Sequence, residues 1–123
     1  PGEGIKRILE EKKGKISTVI MVDAGLKFEG EKVGEIAEGV GAAIGGPGVE
    51  KFKTEEITFK YKVPVQAIIV KEDVGDAISA MRKELIDAAD RVIERIKRLI
   101  NEKTKDGDAV IIAGIGNTIG IAQ

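Results

Sequence analysis

The chain contains no cysteine and no histidine. Thiol nucleophiles, imidazole general bases and Cys/His zinc sites are therefore excluded. A bound metal would have to be a hard, oxygen-ligated cation such as magnesium, manganese or calcium. With no cysteine there is no disulfide, which fits a cytoplasmic protein. Aromatic residues make up 3% of the chain, which argues against a base-stacking surface. Net charge is −1, so no global field draws the protein to nucleic acid or to an anionic membrane. No run approaches the ~18 apolar residues of a membrane span, so no membrane insertion by this chain is expected. There is no signal-peptide pattern.

What remains is an ordinary globular balance with a heavy charge load, 42% hydrophobic and 33% charged over 123 residues. That is enough for one α/β domain with a core of its own. Lys and Glu are abundant while Asn, Gln and Met are few, the composition of a hyperthermophile protein. The chain opens Pro1-Gly2-Glu3-Gly4 without an initiator Met. This reads as a loop tip and suggests a piece of a longer protein.

Periodicity gives the elements. Residues 5–13 read as a short helix, with Ile5, Ile8 and Leu9 on one face and Gly14 as its C-terminal cap. Residues 16–22 form a near-continuous apolar strand, with Asp23 at its C-terminal end. A loop over 26–30 leads to a helix over 31–44, where Val33, Ile36, Ala37, Val40 and Ile44 fall at helical spacing. Gly34, Gly39 and Gly41 lie inside it at a cost of about 1 kcal/mol each, offset by close approach to a neighbouring element. Gly45 to Gly48 end it. Residues 54–62 read as a short helix opened by Thr54-Glu55-Glu56, or as an edge strand, because Ile57, Phe59, Tyr61 and Val63 alternate. Residues 65–70 are a strand. A long helix starts at Asp73 or Asp76 and runs to about Lys103. Ile78, Met81, Leu85, Ala88, Val92, Ile96 and Leu99 form its stripe, widened by Ala89, Ile93 and Ile100, and Asp87–Arg91 and Glu94–Arg98 pair along it. It is longer than the sheet it covers, so its end bends or packs on another chain. After a turn at 104–107 comes a second buried strand, Asp108 to Gly114, running into a glycine turn.

Strands alternating with helices predict a Rossmann-like three-layer α/β/α sandwich with a mostly parallel sheet. Ligands of such sheets bind beyond the strand carboxyl ends. That edge should gather Asp23 and Gly25, Lys71 and Glu72, and Gly114, Gly116, Asn117 and Thr118. The pattern Gly114-x-Gly116-x-x-x-Gly120 resembles a phosphate-binding turn, although it is one residue off the dinucleotide fingerprint. Its plain alternative is a tight strand-to-helix turn. Asp23 suits a ribose, a hard cation or a backbone N–H, and Asn117 a ligand or a cap. Glu31, Glu35 and Glu38, at i, i+4 and i+7, would share one helix face, either as metal ligands with Glu29 or as a solvated surface. Gly45 to Gly48 offer a second anion loop or a simple helix stop. Lys27, Lys32 and Lys71 are phosphate partners or ordinary surface lysines.

The strings VDAGLKFEGEKVGEIAEGVGAAIGGPGVEKF (22–52), VPVQAIIVK (63–71) and GDAVIIAGIGNTIGIAQ (107–123) resemble an archaeal family of uncharacterised proteins, domain of unknown function 1512. The resemblance implies archaeal origin and a longer parent with an N-terminal membrane segment. It brings no established activity and no catalytic residues. A fainter likeness is to hydrogenase-maturation-type peptidases, whose strand–G-x-G-N turn resembles Ile112 to Asn117 and whose strand-end Asp-Ala resembles Asp23-Ala24. Here the two elements come in the opposite chain order and the His ligand has no counterpart, so a nickel-dependent peptidase is not supported.

Three functional expectations follow. The first is binding of a small anionic ligand, a nucleotide or phosphorylated metabolite, by Gly114, Gly116, Asn117 and Thr118, with Asp23 holding a ribose or a cation. The second is a non-catalytic assembly or regulatory domain, homo-oligomeric through the helices at 31–44 and 74–103. The third is a metal-dependent hydrolase using Asp23 and a Glu from 29–38. No cofactor is named by the residues. The setting is the cytoplasm, or the cytoplasmic face of a membrane if the parent is anchored.

Overall fold

A computed structural model of the protein describes residues 2–12, 15–41, 56–73 and 83–115. The cap at Gly14, the turn at 45–48, the Thr54-Glu55 helix start, the long helix between 74 and 82, and Gly116, Asn117, Thr118 and Gly120 lie outside these residues.

The first helix, α1 (Gly2–Glu11), begins where a loop tip was expected. Glu3 in its first turn suits the positive end of the helix dipole. Ile5 and Leu9, one turn apart, are buried, while Ile8 sits at the margin. Strand β1 (Thr18–Leu26) is longer than its apolar run. It is covered on both faces, so its residues are apolar without alternation: Val19 and Met21 join one core cluster, Ile20 and Val22 the other.

Strand β2 (Ile36–Val40) replaces the central part of the helix expected over 31–44. Gly34 and Gly41 bracket it at φ +87° and +95°, a conformation that favours glycine and that a right-handed helix does not contain. The helical spacing of Val33, Ile36, Ala37 and Val40 is therefore coincidental. Facing β3, Ile36, Glu38 and Val40 share one side of the strand, and Ala37 and Gly39 the other.

Residues 56–61 form a short helix, α2, as the acidic start predicted. It ends with Lys62 at φ 57°. The Val63 N–H donates to the Thr58 carbonyl and the Lys62 N–H to the Phe59 carbonyl, the paired bonds of a Schellman stop. Ile57 is buried and Phe59 faces solvent, so the strand alternative fails. Pro64 follows, and its carbonyl accepts the Val19 N–H and the Thr18 hydroxyl.

Strand β3 (Val65–Glu72) and helix α3 (Lys83–Lys103) come next, then β4 (Val110–Gly114). Asp73 lies outside regular structure. On α3, Leu85, Ala88, Val92 and Leu99 are buried as expected, whereas Ala89 and Ile93 are exposed. Arg91, expected to pair with Asp87, reaches across to the Gly34 carbonyl, and Arg98, expected to pair with Glu94, reaches across to Glu38 while keeping Glu102 of its own helix within 3.8 Å.

The four strands form one mixed, mostly parallel sheet in the order β2-β3-β1-β4, with β1 parallel to β3 and β4, and β2 antiparallel to β3. One core cluster joins Ile5 and Leu9 of α1 and Ile57 of α2 to Val19, Met21, Val65, Ile111 and Ala113. The other joins Val92 and Leu99 of α3 to Ile20 and Ile68. Successive side chains of a strand point to opposite faces, so helices cover both sides of the sheet. The stretch expected to be a buried strand is an edge strand, because its only described neighbour is β1. Ile111 and Ala113 are buried, and Ile112 is 53% exposed.

Candidate functional site

The chain leaves β1 for β3 on one side, then passes from β3 to β4 on the other side of β1. The order of the parallel strands therefore reverses between β1 and β4, and the carboxyl ends of these two strands frame the crevice where open α/β sheets take ligands. Val22 lies opposite Gly114, and the Ile115 N–H donates to the Val22 carbonyl at 2.8 Å. Asp23 is the next residue of β1.

Asp23 does not end its strand. β1 runs on to Leu26 because β3 pairs with it as far as Glu72. Asp23 instead follows the stretch in which β4, β1 and β3 lie side by side. It shares the α1 face with Val19 and Met21, is only 7% exposed, and its Oδ1 accepts the Ala24 N–H at 2.8 Å. The backbone-binding role weighed for it is thus present, alongside its position at the crevice.

The two glycines differ. A Cβ on Gly25 would stand 2.9 Å from Ile69 Cγ2, so packing of β3 against β1 already accounts for a glycine there. A Cβ on Gly114 would meet nothing within 4 Å among the described residues, so none of them requires glycine at this position. Gly116, Asn117 and Thr118 follow outside the described residues.

Two of the candidate lysines have partners nearby. Lys71 Nζ lies 3.7 Å from Glu31 Oε2 and 5.3 Å from the Phe28 ring centroid, and Lys27 Nζ lies 3.7 Å from Asp73. Glu72 is buried, on the α3 face and so on the opposite side of the sheet from Asp23. The acidic residues read as one helix face are spread over three tasks. Glu31 accepts the Phe28 N–H, Glu35 accepts the Lys32 N–H, and Glu38 binds Arg98. Among the described residues no group of three or more acidic side chains is arranged to hold a metal.

Arg91, read from the sequence only as a partner of Asp87, belongs to this sheet edge. Its Nη2 donates to the Gly34 carbonyl at 2.7 Å, across 57 positions of sequence. With Gly30, Lys32, Val33, Gly34 and Glu35 it lines an open cleft of about 310 Å³ beside the amino end of β2. The antiparallel run of β2 brings this cleft to the same sheet edge as Asp23. A second open cleft, about 350 Å³, lies at the other edge, between Val40, Gln66, Arg98 and Lys103. Among the described residues, no helix is long and apolar enough to cross a membrane.

The chain belongs to the family described as domain of unknown function (DUF1512) C-terminal, whose profile matches residues 1–122. No curated protein matches the chain. No solved structure matches it either.

Proposed function

We propose that this DUF1512 C-terminal domain binds a small anionic ligand, a nucleotide or a phosphorylated metabolite, in the crevice between the carboxyl ends of β1 and β4. The carrying observation is the bond from the Ile115 N–H to the Val22 carbonyl. It sets the start of the glycine-rich stretch against the residue before Asp23, at the point where the strand order reverses. In this reading the sheet is the centre of a Rossmann-like sandwich, and helices on both faces support that assignment. Backbone N–H groups from Gly114, Gly116, Asn117 and Thr118 hold the anion. Asp23 takes a ribose hydroxyl or a hard cation that accompanies the anion. The cytoplasm, or the cytoplasmic face of a membrane, is where such ligands are met.

The test is a thermal-shift screen of nucleotides, inorganic phosphate, sugar phosphates and divalent cations, run in partial denaturant. A ligand at ~100 times its dissociation constant stabilises the fold by ~2.7 kcal/mol. Gly114→Val supplies the control, since a Cβ there meets nothing within 4 Å among the described residues while the added side chain obstructs backbone approach, and an unchanged circular dichroism spectrum checks that its packing is intact. A shift seen with one ligand class and lost in Gly114→Val and Asp23→Asn supports the reading. The absence of a shift with every class overturns it.

A further inference from the structure

Helix α3 carries a second apolar stripe that its own sheet covers only in part. Ile86, Ala89, Ile93, Ile96 and Ile100 follow one another at steps of three, four, three and four, the seam spacing of a coiled coil. Ile86 is 56% exposed and Ile93 48%. Ile96 and Ile100 are only partly taken up by the core. At 100° per residue, this stripe lies about 180° around the helix from Arg91, Arg95 and Arg98, the side that grips the β2 segment. It therefore occupies the flank that overlooks β1 and β4. There Ile112, opposite Ile20 and on the same sheet face, is itself 53% exposed. Among the described residues α3 is the only helix on that face. Isolated exposed isoleucines need no explanation, but a contiguous helical seam of them beside an exposed edge-strand isoleucine marks an interaction surface.

We propose that this seam pairs antiparallel with the same seam of a second copy of the chain. The flanking charges favour that occupant. Asp90 and Lys97 lie on the solvent side of the stripe, one turn to either side of Glu94. With a two-fold axis between Ile93 and Ile96, Ile93 meets Ile96 of the second copy and Ala89 meets Ile100 of the second copy. Asp90 then stands beside Lys97 of the second copy, twice over by symmetry, as an isologous interface requires. A parallel pairing would leave Asp90 and Lys97 without this match, because equivalent flanking positions then fall on opposite sides of the seam. Lys97 already lies 3.6 Å from Glu94 on its own helix, with both side chains largely exposed. Such a pair is weak, so exchanging it for Asp90 of the second copy costs little.

The test is the solution mass of the full chain across a dilution series, by light scattering after size exclusion. The expected result is a species of twice 13.1 kDa that dissociates on dilution. Ile93→Glu, with Ile86→Glu as the second variant, should give monomer with an unchanged circular dichroism spectrum. Asp90→Lys and Lys97→Asp should each weaken the dimer, and the two together should restore it; this pair decides the matter even if a glutamate variant fails to fold. A chain monomeric at every concentration overturns the proposal and leaves the seam to another partner or to the chain's own residues. A dimer indifferent to both glutamate variants, or charge reversals that do not rescue each other, also overturn it. None of these readouts depends on a ligand at the β1–β4 crevice.

Discussion

Arg98 reaches from α3 to β2 and sets Nη2 2.7 and 2.6 Å from the two carboxylate oxygens of Glu38, with Arg95 Nη1 3.3 Å from the first of them. No residue of β2 is fully buried, so this ionic contact and the packing of Ile36 join the Arg91–Gly34 bond in tying the edge strand to the helix layer. Because the groups are partly exposed, the expected contribution is modest. Glu38→Gln should lower stability by about 1 kcal/mol at low ionic strength, and most of that difference should fade in high salt. Urea titrations at two salt concentrations measure it. A loss of equal size in both would mean that charge is not what holds β2.

Gly34 and Gly30 separate two reasons for a glycine. Both have a left-handed backbone, at φ +87° and +88°. A Cβ on Gly30 meets nothing within 4 Å, whereas one on Gly34 stands 2.8 Å from the Glu84 carbonyl oxygen at the start of α3. Gly30→Ala should therefore cost only the backbone strain, about 1 kcal/mol. Gly34→Ala should cost about 3 kcal/mol, since a backbone atom cannot step aside as a side chain can. Equal losses in denaturant unfolding would show that the close approach to α3 carries no energy.

Lys62 gives the opposite sign. It holds φ 57° at the end of α2 without being glycine, and its N–H and that of Val63 complete the helix stop. The side chain is exposed, so little packing is lost with it. Lys62→Gly is expected to stabilise the fold by about 1 kcal/mol, seen as a higher urea midpoint with an unchanged slope. A destabilised variant would mean that the Lys62 side chain contributes more than its backbone strain costs.

These positions also explain what the residues alone could and could not say. The central strands were legible because burial on both faces leaves an apolar run, as in Val19 to Val22 and Ala67 to Val70. The long helix was legible from Leu85, Ala88, Val92 and Leu99. β2 was not, because a five-residue edge strand with Glu38 on its inner side has no alternation to read; Glu38 is charged there because Arg95 and Arg98 await it from a distant segment. Arg91 was misassigned to Asp87 for the same reason, its partner being a backbone carbonyl 57 positions away. Gly114 closes β4 as its glycine suggested, whereas Asp23, read as a strand end, lies within β1, and the register sets Gly114 opposite Val22, the residue before Asp23. Gly25 was read for a ligand because a missing side chain cannot announce which neighbour needs the space.

Asp108 tests the turn that delivers β4. Its carboxyl pKa lies below the ordinary value of 3.8, chiefly because Oδ2 accepts the Lys105 N–H and next because of a hydrogen bond with the Ser17 side chain. A depressed carboxyl pKa stabilises the fold fully above the unfolded value and loses that contribution as the pH falls through the folded value. An NMR titration of the Asp108 carboxyl should show its midpoint below 3.8, and Ser17→Ala should move it up toward that value. A midpoint at or above the ordinary value would remove the turn from any account of acid stability.

Gly25 and Ile69 decide how much of the sheet edge is packing rather than site. A methyl group at position 25 lands 2.9 Å from Ile69 Cγ2. The two strands are locked in register around it, with Gly25 opposite Lys71 and Asp23 opposite Ile69, so they cannot spread without breaking the ladder. Gly25→Ala should destabilise by about 2 kcal/mol, and Ile69→Ala, which empties a buried position, by about 3 kcal/mol. The double variant should lose clearly less than the sum, because the new methyl group enters the space that Ile69 vacates. That coupling would assign Gly25 to the core. Additive losses would instead free the glycine from Ile69, and its lack of a side chain would then count, with Gly114, as room for a ligand beside Asp23.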